Sequence, residues 1–180
     1  MSRRLYPPPS EFRAPPDFYP AGRITEAFIA DGPPQFISNK PPTRGKKRLG
    51  IKYEALVHPR MAALGLPYWQ GPWLRFFDAG LGRWRWAQPD GLLFDLPRGV
   101  CTIVEVKLKH TPGAWFQTRQ LYQPVLAHIT QGLFDFSILE VVSWIDPHAA
   151  FPERYHFVDD PLAVPVGGFG VHILNSRGLA

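Results

Sequence analysis

The chain of 180 residues has a single cysteine, Cys101. One thiol forbids an intramolecular disulfide and any cysteine-based zinc cluster, so a reducing, intracellular setting is expected. No stretch approaches the roughly eighteen apolar residues of a membrane helix, and no membrane partner is expected. The start, Met1-Ser2-Arg3-Arg4-Leu5-Tyr6-Pro7-Pro8-Pro9, lacks the apolar run of a secretory signal. The expectation is a soluble, non-secreted protein of the cytoplasm, an infected cell or a virus particle. The six histidines show no His-x-x-x-His metal spacing, and there is no ATP-binding loop, helix-turn-helix, zinc finger or internal repeat.

What the chain does have is proline, aromatics and an uneven charge. Residues 1–52 hold ten of the 21 prolines and ten of the 20 basic residues, against four acidic ones. Residues 53–180 are close to neutral, with ten basic and eleven acidic residues. Pro7-Pro8-Pro9, Pro15-Pro16, Pro33-Pro34 and Pro41-Pro42 bias residues 1–45 towards an extended arm. Phe12, Phe18, Tyr19, Phe28, Phe36 and Ile37 punctuate that arm, so it is expected to pack on its own domain or on a protein partner. Residues 46–180 are expected to form one α/β domain, large enough with its 45% apolar residues to bury a core.

Apolar periodicity predicts an amphipathic helix through Leu49, Tyr53, Leu56, Val57, Met61 and Leu64, kinked or split by Pro59. Strands are predicted over Trp73–Asp78, Trp84–Ala87, Gly91–Leu96 and Val100–Lys109. A helix containing Pro124 follows over Ala114–Ile129, then a strand over Phe136–Trp144. Arg154–Val158 and Gly168–Leu174 are expected to add edge strands. The order helix, three strands, helix, strand describes an α/β sandwich with a mixed sheet.

In the strand Val100–Lys109, Glu105, Lys107 and Lys109 share one face and Val104, Val106 and Leu108 the other. A turn at Pro97-Arg98 places Leu96 opposite Gly99, and the same register puts Asp90 opposite Glu105 with Cβ atoms about 4.5–5.5 Å apart. Two facing carboxylates repel, and a divalent cation removes that penalty. Mg²⁺ suits such a site, because it keeps several waters and binds through one or two carboxylates plus substrate phosphates. Lys107, on the same face, is placed to orient a water or to stabilise charge on a phosphate, as in metal-assisted phosphodiester hydrolysis.

Pro89-Asp90, fourteen intervening residues, then Glu105-Val106-Lys107 resembles the motif of the PD-(D/E)XK nuclease superfamily. The resemblance covers about residues 46–145 and implies a restriction-endonuclease-like αβββαβ core with a mixed central sheet flanked by helices. It also implies a metal-dependent deoxyribonuclease, with Asp90, Glu105 and the Val106 carbonyl holding Mg²⁺ or Mn²⁺ and Lys107 activating water. Glu54 matches the helix glutamate that completes such sites on the metal or water. Gln117, Gln120, Tyr122 and Gln123 are candidates for the glutamine or tyrosine of the RecB-like and lambda-exonuclease-like branches. The RecB-type Gln-x-x-x-Tyr spacing is absent, so the branch stays open.

The run Lys40, Arg44, Lys46, Lys47, Arg48 and Lys52 leads into the helix of Glu54, and phosphate contact with DNA is its expected role, with Lys109 and Gln120 beside it. An RNA-cleaving enzyme is a third reading behind DNA, because the motif reads phosphate chemistry and not the sugar. Against these readings stand plainer ones. Asp90 can be a turn residue, Glu54 a surface glutamate, His58 a cap or packing residue, Cys101 a buried strand residue and Asp95 a hairpin end. His110 is placed to approach DNA. Trp69, Trp73, Trp84 and Trp86 read as core and sheet surface, although Arg83-Trp84-Arg85-Trp86 interleaves charge and ring. The rival function is a structural or adaptor protein that keeps the nuclease fold and docks through residues 1–45 in a virus particle or recombination complex.

Overall fold

A computed structural model of the chain describes residues 22–34, 45–144, 156–157, 168–169 and 172–176. Its elements run β1 (Ile24–Ala30), α1 (Lys46–Ala62), β2 (Tyr68–Gln70), β3 (Trp73–Asp78), β4 (Arg83–Ala87), β5 (Gly91–Asp95) and β6 (Val100–Lys109). Then come α2 (Pro112–Gln117), a π-helical turn (Thr118–Tyr122), α3 (Gln123–Ile129), β7 (Asp135–Trp144), β8 (His156–Phe157) and β9 (His172–Ser176). The strands form a mixed α/β arrangement of two sheets, one of six strands in the order β2-β5-β6-β7-β9-β8 and one of three in the order β1-β3-β4. Among the described strands only β6 and β7 pair in parallel, joined by the helical crossover, and the other neighbours are antiparallel.

The six-stranded sheet is covered on both faces. Tyr53, Val57 and Met61, spaced one helical turn apart, lay α1 over Leu93, Val104, Val106, Leu139 and Val141. The opposite face offers Leu92, Cys101 and Ile103 to Tyr122, Val125 and Leu126 of the crossover and to Ile24, Leu74, Phe76 and Ala87 of the small sheet. A strand buried on both faces needs apolar residues on both, and the central part of β6 and β7 supplies them except at Glu105 and Glu140, which are buried.

Several expectations are corrected. β3 and β4 do not join the central sheet: Gly71-Pro72 and Gln88-Pro89 interrupt the chain on either side of them, and a proline cannot extend a ladder. Short β2 takes the place beside β5 instead. The free edge of β3 is filled by β1, so residues 24–30 of the arm belong to the folded unit. Residues 1–21 and 35–44 of the arm lie outside the described residues. Helix α1 is not split at Pro59, which sits in its last turn, where the missing N–H forfeits one bond. Leu49, expected on the apolar stripe, is exposed. The helix expected over 114–129 is present as a continuous helical stretch from Pro112 to Ile129, with a π-helical turn at Thr118–Tyr122 inside it and Pro124 just after that turn. Among the described residues no helix is long and apolar enough to cross a membrane.

Candidate functional site

The bend after β5 does what its sequence predicts. Gly99 N–H donates to Leu96 O at 3.1 Å, and Gly99 adopts φ 64°, a left-handed conformation that glycine takes without strain. The ladder then runs from Asp95↔Val100 to Gly91↔Val104, and Asp95 ends the hairpin paired to Arg98 at 3.2 Å. Asp90 is the next residue out, on the Glu105 side. It leaves the ladder: Oδ2 accepts the Val106 backbone N–H at 2.7 Å. The loop behind it is pinned three times. Gly71 N–H donates to Asp90 O at 2.9 Å, Gln88 Nε2 donates to Gly71 O at 2.9 Å, and Tyr122 Oη donates to Gln88 O at 2.8 Å.

Glu105 is 1% exposed. Lys107 Nζ is ion-paired with Glu105 Oε1 and lies 3.6 Å from Asp90 Oδ2, so both carboxylates turn to one ammonium. Beyond that ion pair neither Glu105 oxygen has a hydrogen-bond partner. Burial first, then the Asp90 charge, push Glu105 up to about 8, with Lys107 opposing and Glu140 adding to the rise. Burial alone would lower Lys107, but the Glu105 and Asp90 carboxylates outweigh it and hold the ammonium charged.

Helix α1 brings Glu54 alongside. Burial and the Asp90 charge raise it to about 7, with Lys107 opposing. One turn on, His58 is buried and its Nδ1 lies 2.6 Å from Tyr68 Oη. Burial lowers the His58 pKa against the pull of Asp90, so the ring is held neutral. Tyr68, which no motif marked, lies over Gly91, where a Cβ would overlap its ring. The glycine beginning β5 is therefore a packing requirement, and the partner became visible only when β2 paired with β5.

One further site residue was missed. Glu140 stands opposite Glu105 across the parallel β6–β7 pair, fully buried, with Oε2 2.8 Å from His110 Nδ1. His110 is therefore not at the surface facing a ligand, as expected, but buried beside Glu140. Glu140 lay in an apolar strand and carried no motif; a lone carboxylate in a run such as Ile138-Leu139-Glu140-Val141-Val142 was the available signal.

Three carboxylates, Glu54, Asp90 and Glu105, thus act electrostatically on Lys107, and Glu140 acts on Glu105 from the neighbouring strand. Among the described residues no three His, Cys, Asp or Glu side chains are grouped to hold a metal ion. That arrangement does not fit a closed, fully protein-ligated site. It does fit Mg²⁺ or Mn²⁺, which need one or two carboxylates and keep their waters. The buried Glu105 oxygens without hydrogen bonds are the donors such an ion would satisfy, with Asp90 as the second.

Of the basic run, Lys40 and Arg44 lie outside the described residues. Lys46, Lys47 and Arg48 form the first turn of α1, which has no acidic residue and no side-chain cap at Gly45. Cations at the positive end of a helix are unfavourable for folding and suited to an anion. Lys47, Arg48 and Lys52 are exposed, with Lys52 Nζ 5.9 Å from the Phe169 ring. Lys109 stacks 4.5 Å from Trp144. Gln120 sits in the π-helical turn with Nε2 buried and without a hydrogen bond. Gln117 donates to Tyr122, and Gln123 accepts from Arg119, bonds that lie within the crossover. Cys101 is buried, and burial pushes its thiol up to about 12. Comparison with protein-family models, with curated proteins and with solved structures finds no match for this chain.

Proposed function

We propose that the chain is a Mg²⁺- or Mn²⁺-dependent deoxyribonuclease of the PD-(D/E)XK type. The observation that carries this reading is the convergence of the Asp90 and Glu105 carboxylates on Lys107, with Asp90 held by the Val106 N–H. The order of α1, antiparallel β2-β5-β6, helical crossover and parallel β7 supports a restriction-endonuclease-like core. In this reading Asp90 and Glu105, with the Val106 carbonyl, hold the ion. The ion supplies Lewis acidity at the scissile phosphate. Lys107 positions the attacking water and offsets charge on the phosphate, and Glu54 accepts a proton from that water, a role its raised pKa suits. The exposed Lys47, Arg48 and Lys52 at the start of α1 grip the backbone phosphates.

The test incubates the protein with supercoiled, linear and single-stranded DNA and with RNA, in Mg²⁺, Mn²⁺ or EDTA. Metal-dependent cutting of DNA, lost in Lys107→Ala and Asp90→Ala, is the expected result. Cutting that survives both substitutions would sink the site assignment. If the wild type cuts no nucleic acid, the non-catalytic adaptor replaces this reading.

A further inference from the structure

Nothing in the proposed chemistry uses the outer face of the three-stranded sheet. Alternation along β3 and β4 turns Leu74, Phe76 and Ala87 inward to the core and leaves Trp73, Arg75, Phe77, Trp84 and Trp86 outward. Phe28 of β1 pairs with Arg75 from the other side and is 42% exposed. A face packed only against water would normally alternate to polar residues. Here it is a sheet of half-buried rings. Trp73 meets Trp86 edge-on at 6.2 Å, and Phe77 and Phe28 each meet Trp84 edge-on at 5.7 Å. Arg75 stands among them, its guanidinium 4.8 Å from the Trp84 ring, 5.5 Å from Trp86 and 5.9 Å from Phe28. Arg75 Nε is buried and makes no hydrogen bond.

We infer that this face is a stacking platform for single-stranded nucleic acid, delivering a strand to the Asp90–Glu105–Lys107 centre; the inference rests on the nuclease reading of that centre. Rings with a cation between them are what unpaired bases and their phosphates require: each base has a π face to stack, and the guanidinium adds charge. A purely apolar protein partner would leave Arg75 desolvated and without an acceptor, whereas a phosphate supplies one. Position argues the same way. Trp86 is four residues before Asp90, at most about 14 Å of extended chain. Trp73 lies two residues after Gly71, whose N–H and O hold Asp90 and Gln88. The Trp73–Trp86 end of the platform therefore adjoins the loop that sets the Asp90 carboxylate, and the Phe77–Trp84 end leads away from it.

Binding is measured in EDTA, so that it does not depend on cleavage, using a fluorescein-labelled 20-nucleotide oligo(dT) and a blunt duplex of equal length. Oligo(dT) should quench tryptophan fluorescence. Trp84→Leu and Trp86→Leu should each weaken oligo(dT) binding about tenfold while leaving the blunt duplex unchanged. Phe28→Ser, at an exposed site on an edge strand, should weaken it less and serves if the tryptophan variants fold poorly. Unchanged oligo(dT) affinity in folded Trp84→Leu, Trp86→Leu and Phe28→Ser, or the absence of quenching in the wild type, overturns the inference. So does a dimer that Trp84→Leu converts to monomers without altering oligo(dT) affinity, because the face would then join copies of this chain. Tight, tryptophan-dependent oligo(dT) binding without any metal-dependent cutting keeps the platform and removes the nuclease; cutting with unaltered binding in the variants does the reverse.

Discussion

The backbone N–H of Val106 donates to Asp90 Oδ2 at 2.7 Å, one position beyond the last paired residues of the β5–β6 hairpin. A side chain thus continues the ladder where the backbone leaves it. This bond fixes the direction of the Asp90 carboxylate and, through it, the meeting with Lys107. It also separates two jobs of Asp90, accepting a hydrogen bond and carrying charge.

Asp90→Asn keeps an oxygen for the Val106 N–H and loses only the charge, whereas Asp90→Ala leaves that buried donor unpaired. Both should lose metal-dependent cleavage. Urea unfolding should find Asp90→Ala less stable than Asp90→Asn by about 1–3 kcal/mol. Equal stabilities would show that the bond contributes nothing.

Glu105 and Glu54 are raised from 4.5 to about 8 and about 7 by burial and by Asp90. Between these values the folded chain holds protons that the unfolded chain has released. Their contribution to stability is therefore complete below pH 4.5 and is lost as pH rises towards 8. His58, lowered by burial, works in the opposite direction near its ordinary value of 6.5. Comparing variants isolates the carboxylate. Metal-free Glu105→Gln should gain Tm over the wild type at pH 8 and gain little at pH 5. A gain of equal size at both values would contradict the raised pKa.

A metal ion must displace those protons. With Glu105 and Glu54 raised to about 8 and about 7, binding of Mg²⁺ at pH 7 should release on the order of one proton per ion. Calorimetry of Mg²⁺ binding in two buffers of different ionisation enthalpy reads that number directly. Glu105→Gln should bring it down, and a buffer-independent heat would mean that neither glutamate is a ligand.

Gly91→Ala places a methyl group in the Tyr68 ring, which β2 and the bond to His58 hold in place. Forcing the ring aside should cost about 1–3 kcal/mol. In the Tyr68→Ala background the same substitution should cost much less. Thermal unfolding of the two singles and the double measures the coupling.

The residues that local geometry governs were readable in advance. Asp90 faces the Glu105 side because one bend, Pro97-Arg98-Gly99, sets the register of a hairpin, and period-two alternation does the rest. Burial of Cys101, the hairpin-end role of Asp95 and the β6 and β7 strands follow from similarly short-range pattern. Glu54 could be named through its place on the preceding helix, although its approach to Asp90 and Lys107 depends on how α1 lies on the sheet.

Sequence by itself thus determined a hairpin and the three groups it aligns, because a bend of three residues leaves few registers open. Only tertiary structure decided that β1 takes the free edge of β3, since nothing local distinguishes one free strand edge from another. It alone set Glu140 and His110 behind Glu105, through a parallel pairing that spans a helical crossover. And the basic excess that marks residues 1–52 is, among the described residues, Arg23 paired with Asp78 and Lys46, Lys47, Arg48 and Lys52 in the first two turns of α1. Long-range pairing carries no sequence period, so its partners appear only when the chain has closed on itself.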